Sequence, residues 1–364
     1  MTITTQFIKN VDRLTSSLIK VTTPAPREVW QSVLKRDEEM LVTQSPAWID
    51  CICATGPYED ASRLYEFKGG RQLILPMVRR KGIPGFLNTE ASMPHAWGMG
   101  GLIGAQPLQT EEVAEVIADL SSRPVLRTLI RPNPRHGAVW AAAAQGRNMI
   151  TIPRSAHVLN LEGGFDHIWN KRFHSTTRRN VRKADRSGLV VESDTTGKLV
   201  PDFYTLFQMS LDRWADQQNE PLLLARWRGQ QRDPIHKFQR LAEILGEACR
   251  IWVARIDDRP VAAILVLQTT NAHYTRGAMD KELAGPTRAN DLLHQLAIQA
   301  ACQAGCRYYH MGESGGSSSL ASYKERFGAE PYTYAEYRLE RLPVTSADHK
   351  IRSLVKRVIG FKDA

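Results

Sequence analysis

The chain has 364 residues, 42% of them hydrophobic and 24% charged, so it can bury a core and is not a disordered polyelectrolyte. Its length fits two domains of ordinary size or one large one. The net charge of +10 favours anionic partners: phosphates, nucleic acid, acidic sugars or an anionic membrane face.

Cys51, Cys53, Cys249, Cys302 and Cys306 form no CxxC set, which argues against zinc and against a disulfide framework. "MTITTQFIKNVDRLTSSLIK" lacks a continuous apolar core, so no signal peptide is expected. No stretch approaches the run of about 18 apolar residues that spans a bilayer. The expected location is the cytoplasm, with a peripheral place on the inner membrane face kept open.

In chain order, "APREVWQSVLKRDEEM" reads as a helix, and "SRLYEFKG" with "RQLILPMVRR" as two strands joined through Gly-Gly. A glycine-rich "AWGMGGLIG" precedes the amphipathic helix "QTEEVAEVIADLSS" and a strand "VLRTLIRP". "HVLNLEGG" opens the second half as strand and turn. A helix is expected over "FDHIWNKRFHSTTRRNVRKADRSG", a strand over "LVVESD", and helices over "LVPDFYTLFQMSLDRWADQ" and "DPIHKFQRLAEILGEAC". Three strands follow, "RIWVARID", "PVAAILVLQT" and "AHYTRGAMD", with turns at Asp257-Asp258-Arg259 and near Asn271. The helix "RANDLLHQLAIQAACQAG" ends at Gly305, a good C-cap residue. Strand "CRYYHMG", short helix "SLASYKERFG" and strand "EPYTYAEYRLERL" close the fold. This order predicts a mixed α/β sheet. In "DHKIRSLVKRVIGFK", apolar Ile351, Leu354, Val355, Val358 and Ile359 recur at helical spacing among Lys350, Arg352, Lys356 and Arg357. Such a helix packs its apolar face on the domain or lies on an anionic membrane through residues 348–362.

Lys171, Arg172, Arg178, Arg179, Arg182 and Lys183 crowd one basic helix. The pairs Arg178/Arg182 and Arg179/Lys183 are one turn apart and form a stripe suited to phosphate oxygens. There is no GxxxxGK[ST], GxGxxG, HExxH or GxSxG, and no metal-ligand spacing of histidines. His273 and His310 fall on strands and are expected as core or edge residues. Chemistry needing few protein groups survives these exclusions. In transfer of an activated acyl group, the protein supplies alignment and a cation or amide for the developing oxyanion.

The segment "FDHIWNKRFHSTTRRNVRKADRSGLVV" and the closing "CQAGCRYYHMGESGGSSSLASYKERFGAEP" together resemble FemAB-like transferases, with related BioF2-like acetyltransferase sequences. The similarity covers about residues 156–342, and "AWGMGGLIG" extends it into the first half. The resemblance implies two tandem GNAT-type domains, 1–155 and 156–342, followed by a basic tail, 343–364. It implies that Lys324, the lysine before "xxFG", lies near the transferred ester and stabilises the transition state. Tyr323 stands in the place of an aromatic, Arg213 matches an arginine that often follows its helix in the family and is a candidate substrate contact, and Tyr274 and Arg276 match a strand whose side chains line the cleft. Alternation puts Tyr274 and Arg276 on one strand face.

Glu313 is a candidate to take the proton of an attacking amine, with helix capping as its other reading. Ser314 lies in the Gly-Ser loop, which allows close approach of a substrate backbone. The stretch "ELAGPTRANDLL" departs from the glycine-rich loop whose amides bind the CoA pyrophosphate. That shifts the expected donor from acyl-CoA toward aminoacyl-tRNA, with Arg288 left to meet a phosphate and no tightly bound cofactor. The expected acceptor is a cell-envelope precursor, a glycan or an anionic small molecule. A non-catalytic RNA- or membrane-surface-binding protein is the reading from another class, and the oligomeric state is open.

Overall fold

The computed structural model describes residues 17–359 and 361. The N-terminal stretch in which no signal peptide is expected lies mostly outside the described residues, as do positions 360 and 362–364 of the basic tail. The fold is mixed α/β, as the element order predicts. A four-stranded sheet runs in the order Leu18–Thr22, Arg63–Phe67, Gln72–Leu75, Ile103–Gly104. The expected Gly-Gly hairpin is present. Tyr65 pairs with Leu73, and Gly69 and Gly70 both take φ +77°, open to glycine at no steric cost.

An eleven-stranded sheet crosses the whole molecule. One end is the meander Val190–Asp194, Cys249–Ile256, Arg259–Gln268 and Ala272–Met279, all antiparallel. Asp257 and Asp258, at φ +46° and +62°, make the tight turn expected there. Tyr308–Glu313 follows in the sheet, then Ile150–Asn160, then Glu330–Glu340. The last of these pairs with Ile150–Asn160 along most of its length and ends against Arg127–Ile130 of the first half. The expected boundary at 155/156 therefore falls inside a strand, and the two halves share one continuous sheet.

Three main apolar cores flank the sheets. One holds Trp30, Ile49, Phe203, Phe207 and Phe238. A second, on the other face of the meander, holds Leu293, Ile298, Tyr309 and Phe327. A third lies under the helix Thr110–Ser122.

Several helices differ from expectation. The long helix expected over 165–188 is broken into Gly164–His167, a π-helical turn Ile168–Arg172, and Ser175–Asp185. His174 starts the last piece, its ring Nδ1 accepting from the Thr176 amide at 3.2 Å, while its own amide donates to Arg326 O at 2.8 Å. A contact distant in sequence thus ends the helix. The helix expected over 25–40 spans Arg27–Leu34, because the Asp37 carboxylate beyond it takes the amides of Glu39 and Gly104 at 2.8 and 2.9 Å. Pro46–Thr55, Gly137–Ala144 and Leu222–Arg232 are helices the sequence reading passed over.

Among the described residues, no helix is long and apolar enough to cross a membrane. All five cysteines are free thiols.

Candidate functional site

Strands Ala272–Met279 and Tyr308–Glu313 run parallel but pair only at Ala272–Tyr309 and His273–His310. Beyond that point they part. Tyr274 to Gly277 on one side and Met311 to Glu313 on the other line a cavity of about 460 Å³. Parallel strands that separate leave amides and carbonyls at their diverging ends to be met by a ligand or a side chain.

Lys324 meets two of them. The helix Ser318–Glu325 is capped by Ser317, whose Oγ accepts from the Leu320 amide at 3.3 Å. Its lysine is only 2% exposed and donates to the carbonyls of Gly312 at 2.9 Å and Glu313 at 2.7 Å. Gly312 turns the strand end at φ +73°, the left-handed region that glycine reaches without strain. An ammonium has three N–H donors, so one remains beyond these two bonds at the cavity wall. Burial pushes the Lys324 ammonium down to about 8, with the Glu313 charge partly opposing.

The end of "YKERFG" is structural. Phe327 is fully buried and packs edge-on against Phe173 at 5.2 Å. Gly328, at φ +79°, passes so close to Arg172 that an added Cβ would lie 2.7 Å from its Cβ. The basic helix and the Lys324 helix are thereby locked together.

Glu313 shares the cavity wall. The Tyr334 hydroxyl donates to its carboxylate, and Arg154 lies 3.9 Å away. Arg276 also lines the cavity, donating to Ala96 O at 2.8 Å and pairing with Asp233 at 3.3 Å.

Tyr274 does not share the Arg276 face as expected. The register slips between Val266–Tyr274 and Leu265–Arg276, so Thr275 is an extra residue that breaks the alternation. Tyr274 consequently packs on His294, centroids 4.6 Å apart, within the second core. Its ring still borders the cavity, and burial raises its hydroxyl to about 12.

Other expected site residues sit elsewhere. Tyr323 points about 100° around the helix from Lys324 and packs against His294 and Phe327. Arg213 donates to Met279 O at 3.0 Å and holds a strand end rather than the cavity wall. Ser314 Oγ bonds His157 Nδ1 at 3.0 Å, behind the cavity.

The basic stripe also divides. Arg178 turns inward onto the carbonyls of Trp169, Asn170 and Phe173 at 3.1, 3.3 and 2.6 Å, so it terminates the preceding turn instead of facing solvent with Arg182. Lys171, Arg172 and Arg178 border a separate pocket of about 550 Å³ with Ser322, Glu325 and Arg326. That pocket and the Lys324 cavity lie on opposite faces of one short helix. Arg179, Arg182, Lys183 and Arg288 are exposed, the last at φ +61° between two helices. Residues 281–287 are themselves helical, and the Asp280 carboxylate takes the amides of Glu282 and Leu283 at 3.0 and 3.4 Å. Those amides are already occupied.

Sequence reasoning missed an ion cluster built around Asp233. This fully buried carboxylate meets Lys237 at 2.8 Å, Arg232 at 2.9 Å and Arg276 at 3.3 Å. Burial alone would raise its pKa, but Arg276, Lys237 and Arg232 outweigh burial and hold it far below the usual carboxylate range. Lys237 also sits 3.9 Å from the Trp97 ring centroid, a cation–π contact. Burial pushes its ammonium down to about 8. The signal was a lysine on the apolar stripe of its helix, four residues before buried Leu241.

The first half closes the cavity with Trp48, His95 to Met99, Arg131 and Arg154. In all, Arg131, Arg154, Arg232, Arg276, Lys237 and Lys324 line the cavity with two carboxylates, Asp233 and Glu313, while a third, Glu336, pairs with Arg131 at 2.6 Å and Arg154 at 3.2 Å. His273 adds no charge, since burial first, then Arg276 and Lys324, drive it down to about 4. The cavity is thus cationic, and a lysine stands where its parallel strands separate. That arrangement suits acyl transfer, with negative charge forming on a carbonyl oxygen.

Residues 171–332 match the family described as "Acetyltransferase (GNAT) domain". Among solved structures, FemX superposes with a TM-score of 0.66 at 11% identity, covering 88% of this chain and 97% of that one. A conserved protein of unknown function from Bacteroides thetaiotaomicron gives 0.50 at 11% identity, covering 86% and 95%. The structure of L-PGS from Bacillus licheniformis gives 0.47 at 13% identity, covering 93% and 97%. No curated protein matches the chain. Residues 171–332 thus resemble a GNAT acetyltransferase domain, and the chain as a whole shares the fold of FemX.

Proposed function

We propose that the chain forms an amide by attack of a substrate amine on an activated ester, with aminoacyl-tRNA as donor and an anionic acceptor. The observation that carries this reading is the buried Lys324 ammonium, anchored on the Gly312 and Glu313 carbonyls at the wall of the cationic cavity.

In the proposed step the amine lone pair attacks the ester carbonyl carbon. The carbonyl oxygen becomes an oxyanion that takes the remaining Lys324 N–H. Glu313 takes one proton from the amine nitrogen. The intermediate collapses with loss of the tRNA hydroxyl oxygen, which receives that proton, and the amide remains. The excess of cations over carboxylates in the cavity supports a phosphate- or carboxylate-bearing acceptor. The helical 281–287 segment, its first amides held by Asp280, supports an ester donor over CoA. A cytoplasmic location follows from a tRNA donor.

The matched family description supports the other donor, acetyl-CoA. Filter binding to bulk tRNA beside calorimetry with acetyl-CoA separates the two. Retention of tRNA, weakened by salt, with no heat from acetyl-CoA is the expected result. Micromolar acetyl-CoA binding without RNA retention would reverse the donor. Retention of RNA with no transfer of any labelled amino acid would instead leave a binding protein.

A further inference from the structure

We propose that the loop 81–87 and the helix Val344–Ile359 together form a docking surface for an anionic membrane, on two rims of one arginine-lined groove. The groove, of about 800 Å³, borders the Lys324 cavity and shares His95, Arg131 and Arg154 with it. Arg80, Arg127, Arg338 and Arg352 add to its lining, against the carboxylates Glu336, which pairs with Arg131, Arg154 and Arg338, and Asp348, which pairs with Arg352.

Each rim carries apolar side chains that the fold leaves uncovered. On the helix, Thr345, Asp348, His349 and Arg352 face the groove at spacings of three and four residues. Ile351 and Leu354 are each 63% exposed and Val355 47%. These three form a neighbouring stripe that the domain leaves uncovered. Lys350 and Arg357 flank the stripe on one side, Arg352 and Lys356 on the other, against a single acid, Asp348. The opposite rim, "RKGIPGFL", presents Phe86 at 66% exposure with Ile83 and Leu87, next to Arg80 and Lys81. Ile83 and Leu87 themselves line the groove.

A nucleic-acid partner rewards the cations but gives nothing for exposed aliphatic residues. A bilayer with anionic headgroups rewards both, the apolar side chains entering the acyl boundary while lysines and arginines meet the headgroups. Two separate apolar elements on the rims of one basic groove therefore fit a lipid surface, with headgroups over the groove. This inference does not depend on the donor or the acceptor.

Sedimentation of the full chain with equimolar phosphatidylcholine–phosphatidylglycerol vesicles, against pure phosphatidylcholine vesicles, tests it. Binding to the anionic vesicles only, lost at high salt, is the expected result. Leu354→Glu and Phe86→Glu should each lower partitioning about tenfold or more, as loss of a buried apolar side chain implies. Both positions are exposed, so the thermal unfolding midpoint should not move; should either variant fail to fold, Ile351→Ser and Ile83→Ser carry the same test. Equal binding to both vesicles, or binding unchanged by these variants, would overturn the proposal. So would lipid-free self-association that Leu354→Glu abolishes, which would make the face a contact between copies.

Discussion

The Lys324 ammonium lies 2.9 Å from the carbonyl oxygen of Gly312, twelve residues earlier in the chain, and the bond ties the short helix to the end of the neighbouring strand. One side chain thus both fastens the Gly-Ser loop's two ends and presents a cation to the cavity.

Lys324→Met should lose about 10²–10³-fold in single-turnover rate, the scale of one lost oxyanion donor. It should also destabilise the protein by about 1–3 kcal/mol, because two buried carbonyls lose their partner. Stopped-quench transfer assays beside urea denaturation check both. A variant that stays folded and transfers at the normal rate removes Lys324 from the mechanism.

The Lys324 ammonium titrates near 8 in the folded protein, against about 10.4 in an unfolded chain. Between those values the unfolded state holds more protons, so wild-type stability should rise with pH relative to Lys324→Met. Transfer that needs the charged lysine should fall as the pH rises through about 8. In Lys324→Arg, whose guanidinium stays charged, the alkaline fall should vanish. A pH–rate profile and pH-dependent urea midpoints read the two opposite trends.

Asp233→Asn should be among the most damaging single changes. It leaves Lys237, Arg232 and Arg276 without their buried counter-charge, and breaking such a set costs about 3–5 kcal/mol. The urea midpoint should drop sharply at similar slope, and Lys237→Met should cost less, since it removes a buried charge together with its desolvation.

Gly101→Ala tests the glycine-rich loop. Gly101 has φ +81°, and an added Cβ would lie 2.7 Å from Pro132 Cα. Strain of about 1–3 kcal/mol is expected, read as a lower thermal midpoint. Gly100, its neighbour, bonds Arg131 O at 2.8 Å, so substrate affinity should weaken with it.

Local pattern was enough for elements whose partners are close in sequence. The meander strands alternate visibly, Asp257-Asp258 marks its own turn, and "YKERFG" stands out through its lysine before Phe327-Gly328. Features set by distant contacts were not legible. The break at His174 depends on the Arg326 carbonyl and the bulge at Thr275 on registration against Leu265 and Val266; with that break made, Arg178 turns inward onto the carbonyls of Trp169, Asn170 and Phe173. The Asp233 cluster joins one helix to strand residue Arg276 and to the Ala96 carbonyl of the other half, a convergence that spacing alone does not encode.

The strand Glu330–Glu340 leaves the half that carries Lys324 and finishes beside Arg127–Ile130. Recombination at the midpoint of the gene would orphan that ladder, exposing an unsatisfied edge on one product and a dangling extension on the other. The two halves are therefore bound to be inherited as a unit, diverging in step along this seam even where their surfaces drift apart.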